Sequence, residues 1–187
     1  MFTLPQKAGL ILFTYNHPNS KRWLSYLSPI ILAITGGRLR RFGDHSPTHT
    51  AQTIWKDGKL MVIDSDVEGV TIKTFDDWKK NRAWIHVFDP NILNKYGEEL
   101  YSQSMVKHEG KRYDFLNAAL IVKYNLSGKY PKKFNDKDNT FICSEFTGYG
   151  YDLPNRNKLT PIRLFMDRFK YFPFGVDLFA GEPKDFL

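Results

Sequence analysis

A chain of 187 residues with 27 Lys+Arg against 20 Asp+Glu, a formal charge of +7, 42% hydrophobic and 16% aromatic, carries enough apolar surface for one packed domain and excludes global disorder. Its single cysteine excludes an internal disulfide scaffold and the thiolate sets of structural zinc and iron–sulfur sites. The basic balance, with pI near 9.4, suits a polyanion, a membrane surface or plain solubility alike, so charge by itself assigns no partner.

Met1 to Lys7 leads into the apolar run Ala8 to Tyr15 without a small-residue cleavage site, which reads as a strand rather than a secretory signal. Asn16-His17-Pro18-Asn19-Ser20 then forms a turn, with Ser20 placed to cap a helix running toward Ile34. The apolar stretch Trp23 to Thr35 is too short to span a bilayer and contains Pro29. The expected setting is therefore soluble, either cytoplasmic or within a larger assembly. Gly36-Gly37 ends the helix, and Arg38-Leu39-Arg40-Arg41 follows as a basic connection.

His49 to Trp55, Lys59 to Ser65, Val70 to Phe75 and Ala83 to Asp89 are short runs of partial alternation, expected as an antiparallel meander, with a polar stretch around Trp78 as a separator. Helical patterns follow at Asn91 to Val106, Phe115 to Tyr124, Phe141 to about Gly148 and Pro161 to Phe169. A strand and helix, then strands, then helices predict an α+β domain. No repeat or linker divides the chain, so 1–187 reads as one domain, with 154–187 an aromatic-rich C-terminal extension packed on it.

The chemistry starts from Cys143. It follows the polar stretch Asn135-Asp136-Lys137-Asp138, and with Thr140 as N-cap its thiol lies in the first turn of a helix. Unpaired backbone N–H groups and the helix dipole favour an anion there, which lowers a thiol's pKa. The alternative is a small buried hydrophobe between Ile142 and Phe146.

Asp57-Gly58 is a strong two-residue hairpin signal. In that register Lys56 faces Lys59, Ala51 faces Asp64 and His49 faces Asp66, so His49, Asp64 and Asp66 project from the same side of the ribbon. Asp64 becomes a diagonal neighbour of His49. A carboxylate on one ring nitrogen fixes the tautomer and leaves the other nitrogen for a thiol. Asp66 remains the alternative third group, and a solvated polar face is the alternative for the whole ribbon.

His17, His45, His86 and His108 show no metal-ligand spacing to another His or Cys, so no metal and no cofactor are expected; His45 is the one competitor to His49 as base. There is no Gly-x-Ser-x-Gly elbow and no Gly-rich phosphate loop. Arg38-Leu39-Arg40-Arg41 and Lys129-Tyr130-Pro131-Lys132-Lys133-Phe134 offer phosphate contacts but no recognition module frames them, so nucleic acid ranks last among partners. The basic residues flanking Trp23 to Thr35 leave a transient membrane-surface contact as a secondary reading.

In order along the chain stand Gly9-Leu10-Ile11-Leu12-Phe13, Ser46-Pro47-Thr48-His49-Thr50-Ala51, Val62-Ile63-Asp64-Ser65, Gly110-Lys111-Arg112-Tyr113-Asp114-Phe115 and Phe141-Ile142-Cys143-Ser144-Glu145-Phe146. This order resembles the circularly permuted papain-like amidases of the YaeF/YiiX family, within the NlpC-type superfamily, over roughly Gly9 to Tyr149. The resemblance implies a permuted papain-like fold, an antiparallel sheet packed against helices with the catalytic Cys at a helix N-terminus. It also implies Cys143 as nucleophile, His49 as base and Asp64 as third polar residue. The chain departs from the family pattern at Leu10, where Asp is usual, at Thr50-Ala51 after the histidine, and at Asp64, where Glu is more usual. Tyr113-Asp114 matches its family pair, and Asp114 is placed to cap the helix starting near Phe115.

The resemblance implies a thiol hydrolase or acyltransferase acting on a peptide, cell-wall peptide or isopeptide amide. Lipid acyl chemistry on the same residues and a catalytically silent papain-like binding protein stand as alternatives.

Overall fold

The structure, a computed structural model, describes residues 2–16, 47–80, 82–120 and 140–186. The expected helix from Ser20 to Ile34, the basic run at 38–41, His17, His45, and the 129–134 and 135–138 stretches lie outside the described residues.

The architecture is α+β. Strands β1 (Ile11–Asn16), β2 (His49–Lys56), β3 (Lys59–Asp66), β4 (Gly69–Lys73), β5 (Arg82–Asp89) and β8 (Val176–Gly181) form an antiparallel sheet in the order β4-β3-β2-β1-β5-β8. Short strands β6 (Arg112–Tyr113) and β7 (Thr140–Phe141) pair in parallel beside it. The helices are α1 (Phe75–Lys79), α2 (Lys95–Val106), α3 (Cys143–Gly150), α4 (Pro161–Met166) and α5 (Arg168–Tyr171), and residues 115–120 are also helical.

β1 lies inside the sheet because Leu10-Ile11-Leu12-Phe13 is apolar at every position, as a strand buried on both faces requires. Leu10 and Leu12 enter a cluster with Ala51, Val62, Trp78, Ile85 and Val87 on one face. Ile11 and Phe13 pack with Phe88, Leu159, Leu164 and Phe172 on the other, where Ile54, Ile63, Tyr101, Met105, Phe141 and Phe146 extend the core beneath α2 and α3.

The β2–β3 hairpin turns at Asp57-Gly58, both at positive φ (52° and 72°), the signature of the tight primed turn that matches strand twist. Its register pairs Lys56 with Lys59 and Ala51 with Asp64, as the turn dictates.

The expected meander holds for β2, β3 and β4 but not for β5, which pairs with β1 on the far side of the sheet. What intervenes is α1, where the sequence reading had placed only a polar separator. Thr74 caps it by accepting from the Asp77 N–H at 3.1 Å, which stops β4 at Lys73. Trp78 buries its ring in the core cluster and carries the chain across the sheet face to Arg82. A five-residue helix is too short to announce itself by periodicity.

The expected helix from Pro161 to Phe169 is two, α4 and α5, broken at Asp167. Within the C-terminal segment, Val176–Gly181 is an edge strand beside β5 rather than irregular packing around helices. Phe2 bridges to Phe186 at the end of the segment. Among the described residues no helix is long and apolar enough to cross a membrane.

Candidate active site

β2 starts at His49 and β3 nears its end at Asp64, so the hairpin register sets the two side chains together. His49 Nε2 lies 2.5 Å from Asp64 Oδ1, with His49 6% and Asp64 2% exposed. The other carboxylate oxygen, Oδ2, accepts from Trp78 Nε1 at 2.9 Å and from an Arg82 guanidinium N–H at 2.7 Å. Arg82 in turn stacks over the Trp78 ring at 4.7 Å. Asp64 is thus fixed from three directions, and Oδ1 is left pointing at the imidazole. Asp66, the other expected acid, accepts from the Glu68 N–H at 2.9 Å in the turn that follows β3.

Cys143 is the first residue of α3. The expected cap, Thr140, belongs to β7, where its hydroxyl donates to Asp114 Oδ2 at 2.9 Å. The parallel β6–β7 pairing carries the extended chain through Phe141, and Ile142 becomes the N-cap residue. Glu145 reaches back to accept from the Ile142 N–H at 3.4 Å. The thiol therefore keeps its place in the first turn, beside N–H groups that lack intrahelical partners.

His49 and the Thr50 backbone N–H lie beside the Cys143 sulfur and both favour its anion. With Nε2 committed to Asp64, Nδ1 is the ring nitrogen left for sulfur. Thr147, one turn along α3, bonds Thr50 Oγ1 at 3.0 Å and the Cys143 carbonyl at 3.1 Å, pinning the helix start to the strand that carries His49. Ser65 donates to the Phe141 carbonyl at 2.8 Å, a second tie between β3 and the approach to Cys143.

The electrostatics follow from this packing. Burial opposes charge on each member, but the members compensate one another. Burial raises the Cys143 thiol, yet His49 and the Thr50 N–H outweigh it and leave the thiol below its ordinary value. Burial depresses His49, yet Asp64 and the Cys143 sulfur lift it to about 10. Asp64 is held well below the usual carboxylate range by His49 and Arg82 against its own burial. Each charge therefore favours the next: the carboxylate favours a proton on the imidazole, and the imidazole favours the anion of the thiol.

Tyr113 stands beside this row. Burial first, then the nearby Cys143, Asp64, Asp66 and Asp114, push its phenol well above the ordinary value, so it stays a neutral O–H facing the thiol region. Asp114 caps the helical stretch 115–120, accepting from the Asn117 N–H at 2.9 Å, which is the structural part expected of it. Burial and the Asp114 charge raise Glu145 to about 7.

The other described histidines lie elsewhere. His86 pairs with Asp177 at 2.7 Å, and His108 is packed against Phe141, Phe146 and Tyr149. Among the described residues no group of His, Cys, Asp and Glu is arranged to hold a metal ion. Sequence reasoning missed Trp78, Arg82 and Thr147. Thr74-Phe75-Asp76-Asp77-Trp78 did carry a capping pattern; nothing local marked Arg82.

The sequence matches no protein-family model and no curated protein.

Proposed function

We propose that the protein is a cysteine-dependent hydrolase or acyltransferase with Cys143 as nucleophile, His49 as general acid and base, and Asp64 as the group that orients His49. The observation that carries this reading is the row of sulfur, imidazole and clamped carboxylate, with His49 beside Cys143 on one side and hydrogen-bonded to Asp64 on the other. The order of its motifs, similar to that of permuted papain-like amidases, supports an amide as substrate and a permuted papain-like fold as frame.

In the first half-reaction the Cys143 thiolate attacks the substrate carbonyl carbon and forms a C–S bond. N–H groups at the start of α3 receive the developing oxyanion, a contribution of several kcal/mol in acyl-transfer sites. As the tetrahedral intermediate collapses, His49 Nδ1 gives its proton to the leaving nitrogen and the C–N bond breaks. In the second half, neutral Nδ1 takes a proton from water or another acceptor, whose oxygen attacks the thioester. The C–S bond then breaks, and the thiolate–imidazolium pair is restored. Asp64 keeps its charge throughout.

The test is alkylation by iodoacetamide. Cys143 should react near neutral pH well above the rate of an ordinary thiol. His49→Ala should slow that reaction by about 10²-fold or more while leaving the circular dichroism spectrum unchanged. Ordinary reactivity indifferent to the histidine change would leave only a folded scaffold. A second reading, acyl transfer from a lipid, draws on Phe115 and Leu116, 53% and 60% exposed, with Phe115 packed at 5.0 Å from the Tyr113 ring. Affinity capture with Cys143→Ala separates the two: retained peptide supports the amide, retained phospholipid or fatty acyl species the alternative.

A further inference from the structure

The Asp64 carboxylate is bound on its far oxygen by Arg82, and that residue comes from β5, three strands away in the sheet order. A neutral donor can bond the same oxygen; Trp78 does so at 2.9 Å beside Arg82. The guanidinium adds something a neutral group cannot, a fixed positive charge within one carboxylate of the imidazole. Its cation is also held in place by the Trp78 face at 4.7 Å, and its side chain is 8% exposed, so solvent screens it little.

We infer that Arg82 is a positioning residue of this site, one that limits how tightly His49 holds its proton and so sets the alkaline limit of the thiolate–imidazolium pair. The inference rests on the reading of Cys143 and His49 given above. Two negative groups, Asp64 from β3 and the Cys143 sulfur from α3, both stabilise a proton on His49. Burial of the ring opposes them first, and a further opposing charge brings the imidazolium closer to releasing its proton to a leaving group, since a proton donor works best when its pKa is near the working pH. Arg82 is the charge that pulls the other way.

The remaining groups around the site do not substitute for it. Tyr113 on β6 is a neutral phenol facing the same acids. Glu145 on α3 is a carboxyl turned to Ile142. On α1 the charges are tied to each other, Lys79 to Asp76 and Lys80 to Asp77, both at 2.7 Å.

The experiment compares wild type, Arg82→Gln and Arg82→Lys, each full-length, by hydrolysis of p-nitrophenyl acetate and iodoacetamide alkylation across pH. Glutamine keeps an N–H donor without the charge; lysine keeps the charge without the planar stack. Arg82→Gln should move the alkaline limb of kcat/KM upward by about one pH unit, the scale of a nearby unit charge, with a lower plateau. Arg82→Lys should return the limb to within a few tenths of the wild-type position. A limb that stays put in Arg82→Gln while the protein is folded overturns the inference, as does an equal displacement in both variants. Should Arg82→Gln not fold, the imidazole titration of folded Arg82→Lys, read by NMR, decides alone: a midpoint at or near wild type supports the inference, and one raised by a full unit overturns it. An unreactive, histidine-independent Cys143 in the wild type would instead defeat the parent reading, which keeps the two failures apart.

Discussion

Asp64 holds three donors on two oxygens while 2% exposed, so its removal leaves a buried guanidinium without its counter-charge. Asp64→Asn should cost on the order of 3 kcal/mol in urea unfolding and, on the proposed function, slow iodoacetamide alkylation of Cys143 more than it reduces folded protein. The folded carboxylate's pKa lies below its unfolded value of 3.8, so its stabilisation is present above that value and is lost as pH falls through the lower folded one. His49 acts in the opposite range, since its folded pKa of about 10 exceeds the unfolded 6.5; its share is complete below 6.5 and is lost as pH rises toward 10. Glu145 works against the fold between these limits. Raised from 4.5 to about 7, it binds a proton that the unfolded chain has given up, so its contribution falls as pH climbs through that window. Glu145→Gln should remove this decline and stabilise the protein at pH 8 by on the order of 1–2 kcal/mol, measured as a thermal midpoint against pH.

At the scale of elements, the hairpin shows how much a short signal can specify. Asp57-Gly58 fixes the turn, the turn fixes the register, and the register brings Asp64 to His49, so that pair was readable before any coordinates. The clamp behind it was not, because Trp78 and Arg82 reach Asp64 through a crossover whose path depends on which strand β5 joins. Pairing partners are decided by the whole core, not by the residues of one strand. Two glycines separate turn chemistry from packing. Gly58, at φ 72°, has open space where a Cβ would go, and Gly58→Ala should cost about 1 kcal/mol for its backbone alone. Gly69 combines φ 96° with the Lys111 carbonyl oxygen 2.3 Å from that same point. Gly69→Ala should therefore destabilise more than Gly58→Ala and weaken the β4–β6 junction, which hydrogen exchange at the Val70 and Gly110 amides would report.

Across the whole molecule, the α+β class and the place of Cys143 in the first turn of a helix were legible because they rest on local periodicity and on a residue type that occurs once. The last edge strand was not. Val176 to Gly181 alternates weakly, follows Pro173 and Gly175, and gains its strand conformation from pairing with β5. Its Leu178 and Phe179 then pack on the face that also buries Trp78 and Phe186. Phe186→Ala should cost about 3 kcal/mol, as expected for emptying a buried aromatic site, while leaving iodoacetamide reactivity of Cys143 per folded molecule unchanged.

Phe2 pairs with Phe186, and the Phe2 amide donates to the Asp185 carbonyl at 2.7 Å. Residues 2 and 186 are therefore sequence-distant neighbours that a few glycines would bridge. A covalent ring made through that bridge would leave Cys143 and His49 untouched while denying the unfolded chain much of its freedom, and its melting temperature should rise.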